Sequence, residues 1–222
     1  MPISPAERQQ KPLQGAPDVA KMKKVAIVGL PNSGKTQIFN NLTGEYNIVA
    51  NYPGTTIEMK RTVTRIKDQN YEIIDTPGLH CFYIHSEEEM AVRDMILAEA
   101  PDIIVQCIDA SQYKQSFLLT AELLELETPM VLVLNSMDET ARKGIWIDSA
   151  QLERLLGVPV VESIALRGLG KEELREAISK ARKSTLDVKY GMQIENGITQ
   201  LASELPFSLE FKHKIAVLLL SA

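Results

Sequence analysis

Short, unbroken apolar runs alternate along this chain with longer amphipathic stretches. Val25-Ala26-Ile27-Val28 is continuous and closed by Gly29, as expected of a strand buried on both faces. Residues 35–42 read as a helix. Residues 61–66 alternate apolar and polar, and residues 71–74 follow across Asp68-Gln69-Asn70, so the two read as a hairpin. Ser86 and Glu89 form a capping box for a helix that runs to about Leu97 and stops before Pro101. A strand (103–108), a helix (115–126), a strand (131–134), a helix closing at Gly157, a strand (158–161) and a helix (172–181) complete the alternation. This rhythm predicts an α/β fold: a mostly parallel six-stranded sheet with helices on both faces.

The two ends of the chain break the rhythm. Residues 1–21 carry prolines, paired glutamines and few large apolar side chains, the composition of a disordered arm. Beyond Thr185 the strand pattern ends. Residues 192–205 and 207–220 look helical, with a break at Pro206. The expected organisation is an arm (1–21), one ordered domain (22–186) and a short C-terminal helical extension (187–222). The extension carries more large apolar side chains than two helices can bury, which predicts self-association through the tail, a homo-oligomer, or disorder beyond about Leu205.

Composition narrows the classes. The 222 residues are 45% hydrophobic and 24% charged, enough for a core without disulfides. A net charge of −5 argues against a large nucleic-acid surface. Cys81 and Cys107 have no metal-ligand spacing, consistent with a reduced cytosolic chain. No apolar run approaches the roughly 18 residues of a membrane helix, and residues 1–20 lack the apolar segment of a signal peptide.

Three motifs carry chemistry. Gly29-Leu30-Pro31-Asn32-Ser33-Gly34-Lys35-Thr36 fits G-x-x-x-x-G-K-[ST] between a predicted strand and helix. Its glycines let backbone N–H groups wrap phosphate oxygens, and the helix end adds positive potential. Lys35 would neutralise the β- and γ-phosphates and Thr36 would ligate Mg²⁺. The bland reading, a glycine-rich turn, does not account for the Lys-Thr pair. Asp75-Thr76-Pro77-Gly78 ends a predicted strand; alone it is a turn, but after a phosphate loop its aspartate can hold Mg²⁺ through water and its glycine N–H can meet a γ-phosphate. Asn135-Ser136-Met137-Asp138 follows another strand. An aspartate there can accept from guanine N1–H and the exocyclic amine, donors that adenine lacks. The competing reading is a helix N-cap at Asn135.

With these motifs in place, the chain resembles the cytoplasmic G domain of FeoB-type ferrous iron transporters, within the TrmE-Era-like P-loop GTPases. Asn51-Tyr52-Pro53-Gly54-Thr55-Thr56-Ile57-Glu58 resembles that family's first switch, N-W-P-G-x-T-V-E, and residues 86–97, 101–110, 155–161 and 168–174 are similar too. The likeness covers roughly residues 22–185. It implies GTP and GDP binding, and slow hydrolysis of GTP to GDP and phosphate, stimulated by K⁺, with switch motion gating Fe²⁺ uptake. It places Lys35, Thr56 and Gly78 at the reaction and Thr36, Thr56 and Asp75 on Mg²⁺. Gly29, Pro31, Asn32, Ser33, Gly34 and Gln37 would surround the phosphates, with Gly54 and Thr55 in the first switch. Asn135, Ser136, Asp138, Ser163, Ile164 and Ala165 would hold guanine. Asn32, with carbonyls near Ala50 and Asn51, would hold K⁺. The partner implied is a membrane-embedded transport domain of the same protein, at the cytoplasmic face of the bacterial inner membrane.

Several residues depart from that pattern. Ile164 replaces a serine, Leu166 stands where a cation is common, and Ala50 and Tyr52 replace glycine and tryptophan. Leu79 follows Gly78 where Ras-like enzymes place a water-orienting glutamine. His80, Cys81 and His85 suggest a metal, but no further ligand stands at a familiar spacing, and a mobile switch loop is the simpler reading. Glu87, Glu88 and Glu89 suit a helix N-terminus. Two other functions stay open at this point: a free-standing RNA- or ribosome-associated GTPase of the Era or TrmE kind, and a nucleotide sensor that does not hydrolyse.

Overall fold

The structure is a computed structural model that describes residues 22–44, 48–52, 55–84, 86–186 and 192–204. The expected arm at residues 1–21 and the tail at 205–222 therefore lie outside the described residues, as do Gly54 and His85.

The central strand, β1 (Lys23–Val28), is the apolar run that precedes the glycine-rich loop. Successive side chains of a strand point to opposite faces, and β1 uses both. Ala26 and Val28 face one hydrophobic cluster, and Val25 and Ile27 the other. Seven strands pair in the order β2-β3-β4-β1-β5-β6-β7. They are β2 (Ile48–Asn51), β3 (Glu58–Ile66), β4 (Gln69–Asp75), β5 (Ile103–Asp109), β6 (Met130–Asn135) and β7 (Val160–Glu162) around β1. From β4 to β7 the pairing is parallel; β3 and β2 are antiparallel additions at one edge. All six strands expected from sequence are present, and β2 joins them as a seventh, ending at Asn51 where the first-switch motif begins.

Helices cover both faces. The first cluster packs α2 (Glu87–Glu99) and α3 (Tyr113–Glu125) on the sheet through Val92, Met95, Leu119 and Leu123. The second packs α1 (Lys35–Thr43) and α6 (Lys171–Ser179) through Ile38, Phe39, Leu174 and Ile178. The short α4 (Met137–Arg142), which the sequence pattern does not reveal, follows β6, and α5 (Ser149–Leu156) precedes β7. In the extension, α7 (Met192–Glu204) forms where the first tail helix is expected.

The helix ends follow local chemistry. The Ser86 hydroxyl accepts from the Glu89 N–H at 3.2 Å, half of the expected capping box. Asp148 caps α5 through the Gln151 N–H at 2.8 Å, and Gly157 ends it in the left-handed region. At its far end α2 is tied to the sheet: Arg61 of β3 donates from both Nη atoms to Glu99, at 2.9 and 2.5 Å, and Lys24 of β1 reaches the same carboxylate at 3.0 Å. The Arg61 bond, ahead of the Lys24 bond, holds the Glu99 carboxyl below its usual range.

Chain connections leave β1 toward β4 on one side, while β5 lies on the other. That reversal opens a crevice at the carboxyl ends of β1, β4, β5 and β6, the place where doubly wound sheets bind ligands. Phe39 anchors α1 beneath it with no exposed surface. Phe39→Ala is expected to cost about 3–5 kcal/mol of stability, read as a lower urea midpoint at unchanged m-value; a loss below 1 kcal/mol would show that α1 is not held by this contact.

Candidate nucleotide site

Four loops meet at the crevice. The glycine-rich loop between β1 and α1 curls around its own lysine: Lys35 is 7% exposed and its Nζ donates to the Leu30 carbonyl at 2.8 Å. Burial lowers the Lys35 pKa, against opposing pulls from Cys107 and Asp75. An ammonium held largely out of water in a glycine-rich loop at a helix start suits an anion. Gly34 sits at φ 97°, and a Cβ there would lie 2.2 Å from Asn135 Nδ2, so only glycine lets the loop touch the next motif.

That contact is a junction. The Ser33 carbonyl accepts from Asn135 Nδ2 and from the buried Cys107 thiol, both at 3.0 Å. Asn135 Oδ1 in turn accepts from the Ala165 N–H at 3.0 Å. One amide thus joins the phosphate loop to the loop at 163–169. Asn135 is not a helix N-cap; Ser136 (φ 63°) holds that position for α4 and makes no side-chain cap bond.

Asp75 ends β4 at the mouth of the crevice, and its Oδ2 accepts from the Thr36 hydroxyl at 2.8 Å. Its other oxygen, Oδ1, is buried without a partner, as is the hydroxyl of Ser33. Burial raises the Asp75 carboxyl above its ordinary pKa; Thr36, Lys35 and Lys60 pull it back. An orphaned carboxylate oxygen beside a threonine hydroxyl is a donor set for a hard divalent cation, so these residues fit Mg²⁺. Glu58 and Lys60 share that cleft with Thr36 and Asp75. Sequence reading missed both because they arrive through strand register, Lys60 lying opposite Asp75.

Gly78 packs on the phosphate loop so closely that a Cβ would lie 2.4 Å from Pro31 Cγ. The next N–H, of Leu79, donates to the Gly29 carbonyl at 3.0 Å, and the Thr76 hydroxyl donates to Ile27 O at 2.9 Å. Beyond Leu79 the chain is held by two carboxylates. Glu89 accepts from the His80 N–H at 3.2 Å and lies 2.9 Å from its Nδ1, and Glu122 accepts from the Phe82 N–H at 2.8 Å. His80 thus meets a carboxylate of α2. Among the described residues, no cluster of three or more His, Cys, Asp or Glu side chains could hold a metal.

Thr56 is exposed and lines a cleft of about 720 Å³ with Tyr52, Thr55, Glu87, Met90 and Asp94, while Thr36 and Asp75 line another with Glu58 and Lys60. Ala50 and Asn51 are paired to Met59 and Glu58 in β2. Asn32 (φ 61°) is exposed on the phosphate loop.

On the base side, Asp138 faces Arg167 at 3.7 Å and Arg142 at 3.9 Å. Arg167 places a cation beside Asp138, one residue beyond Leu166. Ser163 and Ile164 brace the loop: the Ser163 hydroxyl and the Ile164 N–H both donate to the Leu169 carbonyl, at 2.9 and 3.2 Å. Gln37 and Ser136 stand at the starts of α1 and α4.

A family model described as ferrous iron transport protein B matches residues 23–178. The chain belongs to the FeoB family. A fusion of Fe(2+) transport protein A with the Fe(2+) transporter FeoB from Porphyromonas gingivalis is 34% identical over 210 residues, covering 89% of this chain and 25% of that one. The Fe(2+) transporter FeoB of Escherichia coli K12 is 33% identical over 201 residues, covering 87% of this chain and 26% of its own. The chain therefore spans about a quarter of these curated relatives. Among solved structures, the cytosolic domain of L. pneumophila FeoB superposes with a TM-score of 0.84 at 28% identity, covering 90% of this chain and 89% of that one. The GMPPNP form of the T. maritima FeoB cytosolic domain gives 0.80 at 34% identity, covering 88% and 80%. The FeoB chain described here thus has the P-loop GTPase fold and is a GTP-binding G domain.

The orphaned Asp75 oxygen has a measurable consequence. A carboxyl whose folded pKa is raised binds its proton more tightly when folded, so stability falls as pH rises from the ordinary carboxylate range through the raised value. Asp75→Asn removes that penalty. Without nucleotide or Mg²⁺, the variant is expected to melt a few degrees above the parent at pH 7, with the gap closing toward pH 4. A variant that melts at or below the parent at pH 7 would show that the carboxylate is not strained.

Proposed function

We propose that this chain hydrolyses GTP to GDP and phosphate, and that the accompanying switch motion gates Fe²⁺ passage through a membrane-embedded part of the same protein at the cytoplasmic face of a bacterial inner membrane. The observation that carries the reading is the Asn135 amide, which joins a lysine-bearing phosphate loop to a loop suited to guanine within one crevice. FeoB relatives being named Fe(2+) transporters supports the iron assignment. Among the described residues, no helix is long and apolar enough to cross a membrane. The chain spans about a quarter of its named transporter relatives, which supports assigning the transport step to another part of such a protein.

The chemistry follows from positioning. Lys35, drawn off the Leu30 carbonyl, would place its charge between the β- and γ-phosphates. The Gly78 N–H would donate to the γ-phosphate. Thr36 and Asp75 would hold Mg²⁺, which supplies charge for the developing phosphate oxygens. Thr56 would join them only after the first switch leaves its cleft against α2. Among the described residues no side chain stands as a general base, so rate would come from electrostatic positioning and turnover would be slow. Asp138 would accept from guanine N1–H and its amine, and the Ala165 N–H, released by Asn135, would meet the 6-oxygen.

Asp138→Asn tests the base assignment. GTP affinity is expected to fall about 10–100-fold, the range for a charged hydrogen-bond pair, while xanthosine triphosphate binds relatively better in competition assays. Unchanged GTP affinity would sink the assignment. The second test is ionic. If Asn32 helps to hold K⁺, phosphate release should run about tenfold faster in KCl than in NaCl, equivalent to about 1.4 kcal/mol at the transition state. Asn32→Ala should erase the difference, and equal rates in both salts for the parent chain would remove the cation from the mechanism.

A further inference from the structure

The loop at 163–169 is held on a second side, by the helix that carries the phosphate lysine. Asn41, one turn beyond Gln37 on α1, donates from Nδ2 to the Ala165 carbonyl at 2.8 Å, across 124 residues of sequence. Gln37 donates from Nε2 to Asn41 Oδ1 at 3.2 Å. That bond occupies the amide oxygen, so the Asn41 NH₂ is turned toward the loop. Ala165 itself is 2% exposed. Its carbonyl is gripped by Asn41 and its N–H by Asn135, and the two bonds bracket the residue whose N–H would read the base.

We propose that Asn41 is a positioning residue for guanine recognition, fixing the Ala165 segment against the phosphate-binding helix so that its N–H can meet the 6-oxygen of the base. The inference rests on the guanine reading above. A hydrogen bond restrains position only if it has no easy competitor, and Asn41 is partly buried between α1 and the loop. α1 begins at Lys35 and Thr36, so Asn41 also sets the distance between the phosphate and base ends of the crevice. Loss of the grip would let the loop drift without disturbing the phosphate contacts.

The experiment uses the full chain and two ligands, GDP and the diphosphate of 2-aminopurine riboside, which keeps the exocyclic amine but has no 6-oxygen. Asn41→Ala should weaken GDP about fivefold while weakening the analogue less than about twofold, by calorimetry or competition. Asn41→Asp keeps the shape but sets an acceptor against the Ala165 carbonyl, and should weaken GDP about tenfold with the melting temperature little changed. Equal losses for both ligands, or no loss of GDP affinity in either variant, would overturn the proposal and leave Asn41 a structural residue of α1. If the parent chain itself shows no preference for GDP over the analogue, the guanine reading fails first and takes this one with it.

Discussion

The carbonyl of Ser33 is the point on which the crevice depends. A buried thiol and a buried amide donate to it together, from β5 and from the end of β6. Neither donor has water to fall back on, so each keeps the loop where it is. Because the same Asn135 amide also accepts from Ala165, the phosphate and base ends share one support. A loop that must wrap a polyanion is made rigid by groups that never touch the anion.

Around that junction, the site carries strain that the fold absorbs elsewhere. Lys35 is buried below its ordinary pKa and Asp75 above its own, and two polar oxygens at the mouth have no protein partner. The offset comes from the two apolar clusters and from the Arg61–Glu99–Lys24 group, which fastens α2 to β3 and β1. Stability and readiness to bind are thus assigned to different layers of the sheet.

What could be read from the sequence follows physical contiguity. The six apolar or alternating runs became strands because burial on one or both faces leaves an unmistakable period. β2 escaped notice because an edge strand of four residues needs no such pattern, and α4 because six residues hold too few turns to show one. The phosphate loop, Asp75 and Asn135 were legible since each motif acts through neighbouring residues. Lys60, Arg167, Cys107 and Asn41 were not, since register and packing bring them in from elsewhere. Thr56 could be recognised as a switch residue, yet its position against α2 depends on how the first switch folds over Tyr52, where the Tyr52 N–H donates to Ile57 O at 2.8 Å.

The contact of Gly78 with Pro31 would make the segment after Asp75 a lever with its fulcrum fixed. Leu79 is fully buried and its N–H is fastened to Gly29, so the strand end and the first two residues after Pro77 are part of the phosphate loop in mechanical terms. Rotation can begin only at His80. The segment beyond it is tied at His80 and Phe82 to α2 and α3, so any displacement there would load those two helices and the surface they present before it reached β4.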